Sequence, residues 1–403
     1  MRLQSMSILI GASVMLSLSM GMRQSLGLFM PPVTRELALS ASDFTFAIAV
    51  QNIVWGVTQP FIGAMADRYG VRKVAIAGVM IYAAALAITI AATNVAMLIL
   101  GIGVLIGLAL SCTASSIAMS AAARTADNPR KRSLILGLVS AAGSLGSFAA
   151  APLAQGLIGT EGWRIALVAF IGLAAAMLPA AWYAGRADAL PDPNAGGQRQ
   201  SLGDALGEAF GHGGYITMSL AFFVCGLQLV FITTHMPTYI VACGLDPMLG
   251  AEMLAVIGIF NVFGSYLFGW FGSRYPNQIL LGLIYILRSA IIGAYFLLPV
   301  SAFSTLLFAA AMGLLWLGVV PLVNGLVARL FGLQFMATLT GIAFFSHQLG
   351  SFLGAWGGGL IYDNLGSYTL AWQLAVGIGL IAGFAQLLMT TRPSARMALA
   401  PAE

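Results

Sequence analysis

The stretch G-A-M-A-D-R-Y-G-V-R-K at residues 63–73 lies between two long apolar runs and brings four charged side chains together in a chain that carries few charges elsewhere. A related stretch, G-W-F-G-S-R-Y-P, occupies residues 269–276, again between two apolar runs. It begins 206 residues after the first. The pair predicts two corresponding turns in a duplicated chain, each joining the second and third helices of one half.

The surface of this chain is too apolar for a water-soluble protein. Of its 403 residues, 60% are apolar and 8% are charged, and the mean hydropathy is +0.94. A soluble domain carries roughly a quarter charged residues, so most of this surface must face lipid. The net charge of +5 does not indicate a nucleic-acid partner, because the basic residues lie in short loops, where they orient a protein in the bilayer.

Twelve apolar runs are long enough to cross a bilayer, which takes about 20 residues. Their length and continuity exclude the short alternating strands of a barrel and predict an all-α membrane protein with twelve transmembrane helices. The runs cover residues 7–33, 43–66, 73–93, 95–123, 133–158, 164–185, 214–240, 248–272, 278–299, 302–328, 334–361 and 368–391.

The basic residues are divided unevenly between the two sides of the predicted membrane. Fourteen of the 18 fall in loops on one side, whereas Arg35 and Arg164 fall on the other. Arg23 and Arg288 fall inside runs. Because basic loops stay in the cytoplasm, we expect a multi-pass protein of the bacterial inner (plasma) membrane with its N- and C-termini cytoplasmic.

Further sequence matches support the duplication. Gly21-x-Arg23 with Pro32 recurs as Gly226-x-Gln228 with Pro237, and the tripeptides G-S-F and G-L-I recur at offsets of 204 and 203 residues. We therefore predict two pseudo-symmetric six-helix bundles, at 1–186 and 213–403, with the solute site between them. The polar segment 187–212 is the predicted cytoplasmic linker.

The 63–73 stretch resembles the signature loop of the major facilitator superfamily, Gly-x-x-x-Asp-Arg-x-Gly-x-Arg-Lys/Arg. The resemblance implies the major facilitator fold and transport by alternating access. It also implies that Asp67, Arg68 and Arg72 brace the cytoplasmic gate. Ser273 stands at the Asp67 position in the second copy, so the corresponding gate there is expected to be weaker or built differently.

A narrower resemblance is to the monocarboxylate porter and oxalate:formate exchanger branch. It is carried by S-L-G-L-F at 25–29 and by K-R-S-L-I-L-G-L-V-S-A-A-G-S-L-G-S-F, followed by Pro152-Leu153. In the eighth run this branch places an arginine and, one turn earlier, often a carboxylate. This chain has Ser265 and Asn261 at those positions, so carboxylate recognition and proton coupling are not expected from the eighth helix.

Two arginines and no carboxylate lie in the middle of the apolar runs. A buried cation must face protein or a water-filled cavity. Arg23 is predicted either to meet an anionic solute or to bond neighbouring carbonyls. Arg288 is expected to reach inward and bond the neighbouring helices, with substrate contact as the alternative. The missing carboxylates argue against a cation or drug:proton carrier.

Other mid-run polar side chains are expected to line the same cavity, since each needs a partner or water. Gln228 matches Arg23 in the repeat. His235 and His347 would either hydrogen-bond a carboxylate, carry a proton or simply be bonded within the fold. The candidate substrate-binding residues are Arg23, Asn52, Gln228, His235, Asn261, Arg288, His347 and Gln348.

No enzyme motif is present, neither a nucleotide-binding loop nor a zinc-binding pattern, and the three cysteines have no metal-ligand spacing. No catalytic residue, metal or cofactor is expected. The favoured function is alternating-access transport of a small organic anion, a mono- or dicarboxylate, by a monomer, with a proton or counter-anion as a further partner. The alternatives are a drug or amphiphile exporter of the same fold and a non-transporting membrane sensor.

Overall fold

The computed structural model describes residues 3–125, 129–190, 202–331 and 336–394. Within those ranges every regular element is a helix, and twelve long helical segments follow one another. They are α1 (Leu3–Gln24, a 3-10 turn Ser25–Phe29, and Met30–Leu37), α2 (Ala41–Tyr69), α3 (Val71–Ile90), α4 (Val95–Leu98, a π segment Ile99–Leu105, Ile106–Thr113, and Ser115–Ala123), α5 (Pro129–Glu161), α6 (Trp163–Ala184), α7 (Gly213–Ala242), α8 (Pro247–Gly272), α9 (Asn277–Leu297), α10 (Ala302–Leu315 and Val319–Phe331), α11 (Met336–Leu365) and α12 (Thr369–Leu388). Two short helices, Gly185–Ala189 and Leu202–Phe210, lie between α6 and α7.

Ten of the twelve segments are long and apolar enough to cross a membrane within the described ranges. The remaining two, α2 and α11, are 29 and 30 residues long but more polar. They pack against each other along the contact between the two halves, so their polar side chains are turned towards protein and away from lipid. The predicted all-α membrane fold is confirmed.

The helix contacts repeat between the two halves. In the first half α1 packs on α5, α2 on α4, and α3 on α6. In the second half α7 packs on α11, α8 on α10, and α9 on α12, which are the same three pairs six helices later. The main contacts between the halves are α2 with α11 and α5 with α8. The repeat relates these two contacts to each other, because α2 corresponds to α8 and α5 corresponds to α11. The duplication predicted from the sequence is therefore matched by the packing.

Glycines explain why these sequence matches recur. A Cβ at Gly21 would overlap the backbone of Gly146, which brings α1 against α5. A Cβ at Gly350 would overlap the carbonyl of Phe223, which brings α11 against α7 in the same way. Small residues allow membrane helices to approach at the backbone. The repeated G-S-F tripeptides thus mark the same helix crossing in each half.

The turn that the 63–73 stretch predicts is very short. Gly70 alone separates α2 from α3, with φ of +94°, a conformation that side chains with a Cβ rarely adopt. This turn lies on what we call the basic face of the bundle, with the start of α7 at Gly213. The opposite face carries the α1–α2 turn (38–40) and the α7–α8 turn at Gly244.

Helices α4 and α10 are both interrupted. Helix α4 contains the π segment and breaks at Ala114, and α10 breaks between Leu315 and Val319. The breaks correspond under the repeat. An interrupted membrane helix leaves carbonyls without helical partners, so other groups must bond them.

Candidate functional site

Arg23 is a partly buried cation whose described contacts are neutral groups. Its Nη2 donates to Asn52 Oδ1 at 2.6 Å, and its guanidinium carbon lies 5.1 Å from the centre of the Trp55 ring. Asn52 Nδ2 donates to Ile48 O at 2.8 Å, so the amide oxygen is turned towards Arg23. A buried charge that meets only dipoles and an aromatic face remains able to bind an anion.

A small recess lies beside Arg23, between the two halves. It is bounded by residues 23–27 of α1, where the helix passes into its 3-10 turn, by α2 and by α7. Side chains from both halves therefore line it, as expected for a site to which the two sides of the membrane gain access in turn. The lining residues are Arg23, Gln24, Leu26, Gly27, Ile48, Gln51, Val230, Thr233 and Thr234.

A wall of aromatic rings continues from Arg23 into the second half. Trp55 of α2 meets Phe344 of α11 edge-on, with ring centres 5.2 Å apart. Phe344 is stacked on His347 at 5.8 Å, and His347 lies 4.8 Å from Phe222 of α7. We call these four rings, of Trp55, Phe344, His347 and Phe222, the aromatic wall.

Gln348 lies next to this wall. It is fully buried, and its Oε1 lies 3.1 Å from His347 Nδ1. A Cβ at Gly56 would lie 3.0 Å from the Cβ and Cγ of Gln348, so the side chain of Gln348 packs directly on the backbone of α2. Four of the eight candidate residues, namely Arg23, Asn52, His347 and Gln348, are thus brought together between the halves.

Gln228 is bonded to helices of the second half and is not among the residues that line the Arg23 recess, so its role in substrate binding stays a prediction. It is fully buried, and its Nε2 donates to Ala375 O of α12 at 2.9 Å. The same nitrogen lies 3.5 Å from Ser289 Oγ of α9. The amide nitrogen of Gln228 is therefore bonded to α9 and α12 within the second half.

His235 is bonded within the second half, and its role as a substrate ligand stays a prediction. It is fully buried among α7, α11 and α12, with Nε2 at 2.7 Å from Ala355 O and Nδ1 at 3.1 Å from the Tyr368 hydroxyl. Both ring nitrogens have protein partners. His235 therefore ties three helices together within the second half.

Asn261 joins helices and is not among the residues that line the recess, so its role in substrate binding stays a prediction. Its Nδ2 donates to Ser144 Oγ of α5 at 2.7 Å. Its Oδ1 accepts from Leu317 N at 2.9 Å and from Ser265 Oγ at 3.3 Å. Both atoms of the amide are thus engaged, at the α5–α8 contact and at the break in α10.

Arg288 is held at the same break. It is fully buried, and it donates to Leu315 O at 2.5 Å, to Trp316 O and to Cys225 Sγ at 3.1 Å. These carbonyls lose their helical partners where α10 is interrupted. Arg288 thus bonds neighbouring helices, as one of its two predicted roles requires, and its contact with substrate stays a prediction.

A family profile for the Major Facilitator Superfamily matches residues 12–355. This chain belongs to the Major Facilitator Superfamily. Its fold and site are therefore those of a multi-pass membrane transporter and not of an enzyme.

Among relatives of this superfamily member, monocarboxylate transporter 13 of Bos taurus is 26% identical over 371 residues, which cover 91% of this chain and 84% of that protein. Monocarboxylate transporter 11 of Homo sapiens is 27% identical over 376 residues, covering 89% and 77%. The uncharacterized MFS-type transporter YcxA of Bacillus subtilis (strain 168) is 24% identical over 365 residues, covering 86% of each chain.

The signature loop of this superfamily member is bonded within its own half. The guanidinium of Arg72 stacks on Trp182 of α6 at 4.5 Å, and that of Arg68 lies 5.3 Å from its neighbour Tyr69. The side chain of Asp67 lies outside the described residues. None of the contacts described for Arg68 and Arg72 reaches the second half, so their role in bracing a gate stays a prediction.

Sequence reasoning missed Asp188, which completes this loop. Its carboxylate accepts from Val71 N at 2.7 Å and from Arg72 N at 3.1 Å, and lies 3.9 Å from Arg124 Nη1. A carboxylate at the first turn of α3 satisfies free amides and the helix dipole. The sequence shows an acidic residue after the sixth run but gives no sign of its partner 117 residues away.

The opposite face of the transporter is closed by contacts between the halves. Asp363 of α11 accepts from Ala41 N at 3.1 Å and from Ser42 N at 2.8 Å, at the start of α2. Phe46 of α2 lies 5.3 Å from Trp356 of α11. A Cβ at Gly27 would overlap the Thr233 carbonyl of α7. These contacts separate the Arg23 recess from the opposite face.

Proposed function

We propose that this transporter carries a small monocarboxylate by alternating access, with Arg23 as the group that binds the carboxylate. The single observation that carries the proposal is the guanidinium of Arg23, which lies in a recess between the two halves and contacts only an amide and an aromatic face. A guanidinium offers paired donors that match a carboxylate.

The number of free cations favours a monocarboxylate over a dicarboxylate. Of the two arginines inside the apolar runs, Arg288 is committed to carbonyls of α10. Of these two arginines, Arg23 is therefore the one that lines the recess. A second carboxylate would enter a site of low polarity without a counter-charge, and an unpaired buried charge is costly. The names of several relatives, monocarboxylate transporters at about 25% identity, agree with this choice.

The sidedness and the coupling belong to the same proposal. The basic face is placed in the cytoplasm of a bacterial inner membrane by the positive-inside rule. His347 lies in the aromatic wall beside Arg23 and is the candidate for proton coupling, whereas His235 is bonded away from the recess. Exchange against a second monocarboxylate is the alternative coupling. The working unit is a monomer.

A drug or amphiphile exporter is the second candidate, and the aromatic wall is the observation that favours it. Aromatic faces attract organic cations. In this wall, however, the ring of Trp55 already lies against the guanidinium of Arg23. A cation would meet that charge before it met the rings, so the anion is preferred.

Uptake of radiolabelled lactate into proteoliposomes tests the proposal. Arg23→Gln should reduce uptake at least 100-fold, because the charge and the paired donors are both lost, and Arg23→Lys should retain partial uptake with a raised KM. Arg274→Gln is the matched control, since Arg274 is exposed at the basic face and stacks on Trp270. Normal uptake by Arg23→Gln at equal protein density would refute the assignment.

A further inference from the structure

Three buried hydrogen-bond donors near the recess have no acceptor among the residues that the structure describes: Arg23 Nε, Trp55 Nε1 and Gln348 Nε2. Trp55 is 6% exposed and Gln348 is fully buried. A buried donor without an acceptor is costly, so each such group in a native fold calls for an explanation.

The three donors belong to one contact region that includes both halves. The guanidinium of Arg23 lies over the ring of Trp55. Gly56, the next residue of α2, packs against the side chain of Gln348 on α11. Arg23 and Trp55 come from the first half and Gln348 from the second.

The orientation of Gln348 leaves its nitrogen free. Its Oε1 lies 3.1 Å from His347 Nδ1 and 3.4 Å from Ser351 Oγ. Its Nε2 lies at the other end of the amide and has no hydrogen-bond partner among the described residues.

The chemistry of the set is that of an anion site. It consists of one cation and two neutral donors, and a carboxylate has about four lone-pair positions with which to accept from them. Other buried donors without partners exist in this chain, for example Trp372 Nε1 and Gln386 Nε2 of α12. Trp372 differs because its described ring contacts include no cation and no residue of the first half.

We propose that Trp55 and Gln348 complete the carboxylate site, so that one carboxylate accepts from both halves at the same time. This inference rests on the proposed function. It assigns a physical role to the solute during transport: the two halves close around the site more readily when an anion joins their donors than when the site is empty. It also predicts discrimination against the neutral amide of the same acid, which would present donors to donors.

The test is the KM for lactate in proteoliposomes. Trp55→Phe keeps an aromatic ring and removes the indole N–H together with part of the ring system, and Gln348→Met keeps a similar volume and removes the amide. Each should raise the KM about tenfold. Trp372→Phe and Gln386→Met are the matched controls, which remove the same groups elsewhere, and should stay within about twofold of the wild type. Unchanged KM values for Trp55→Phe and Gln348→Met would overturn the inference.

A second variant keeps the test decisive if the first two are poorly produced. Gln348→Glu places a carboxylate within the donor set, so it should raise the apparent melting temperature of the empty protein and abolish further stabilisation by lactate. Stabilisation by lactate equal to that of the wild type would contradict the inference. If Arg23→Gln also transports lactate normally, the proposed function itself fails, and the two failures are thereby distinguished.

Discussion

At the scale of single residues, two arginines in similar apolar surroundings have different roles because their neighbours differ. Arg23 meets the Asn52 amide and the Trp55 ring, whereas Arg288 meets carbonyls of the interrupted α10. A guanidinium whose Nη atoms donate to carbonyls and to a cysteine sulfur of neighbouring helices holds those helices together. One that meets an amide and a ring keeps donors for a solute.

Arg288 should therefore be required for stability and not for solute affinity. Arg288→Met leaves two buried carbonyls without partners, which costs roughly 2–5 kcal/mol. We expect a lower apparent melting temperature in detergent and an unchanged KM for lactate in the protein that remains folded. Arg274→Met, at the exposed basic face, should change neither. A raised KM at wild-type stability would return Arg288 to the substrate site.

Single residues also show how much of the site the sequence can predict. Arg23 was identified because a cation inside an apolar run needs a reason. The repeat identifies the position on α7 that corresponds to Arg23, but it does not record that Gln228 at this position bonds a carbonyl of α12. Asp188 and Asp363 bond backbone amides 117 and 322 residues away, and no local pattern records such a pairing.

At the scale of helices, the opposite face is held shut where α11 meets α2. The carboxylate of Asp363 occupies the first turn of α2, where free amides and the helix dipole both favour a negative charge. The bonds join the two halves, so they must break when that face opens. They form a latch that depends on one side chain.

Asp363→Ala should shift the protein towards the state that is open at the opposite face. Loss of such a cap costs about 0.5–2 kcal/mol, which changes the ratio of two states by roughly 2- to 30-fold. Spin labels at Glu161 and Asn364, on α5 and α11 at that face, should show a larger population at long distance. Asp246→Ala is the control, because Asp246 caps α8 within its own half. An unchanged distance distribution would contradict the latch.

The helices were predictable from apolar length, and the turn at Gly70 from the 63–73 stretch, because both depend on local sequence. The breaks in α4 and α10 were not predicted. The break in α4 has no glycine or proline at Ala114. The break in α10 does contain Gly318 and is followed by Pro321, and Arg288 and Asn261 bond the backbone groups that it exposes.

At the scale of the whole molecule, the uneven distribution of arginines predicts its orientation in the membrane. Cys243 provides a test, since it is exposed at the α7–α8 turn of the opposite face, whereas Cys112 and Cys225 are buried. A membrane-impermeant maleimide should label Cys243 in intact spheroplasts, and Cys243→Ser should abolish the labelling. Labelling that requires permeabilised membranes would reverse the proposed orientation.

The repeat of helix contacts gives the molecule two similar halves with a recess between them. In such an architecture the solute site can stay in place while access alternates around it. The charge at that site then decides which solutes are carried. We propose that the single guanidinium of Arg23, whose described contacts are neutral groups, makes the transporter prefer solutes with one negative charge.

Counterflow in proteoliposomes measures that selection directly. Vesicles loaded with unlabelled lactate, lactamide, malonate or tetraphenylphosphonium are placed in a trace of radiolabelled lactate, and accumulation of label reports which internal solute is carried. Internal lactate should drive strong accumulation, malonate little, and lactamide and tetraphenylphosphonium none, with every signal lost in Arg23→Gln. Equal accumulation with lactamide or tetraphenylphosphonium inside would contradict the account, because a single buried cation would then not be choosing the solute.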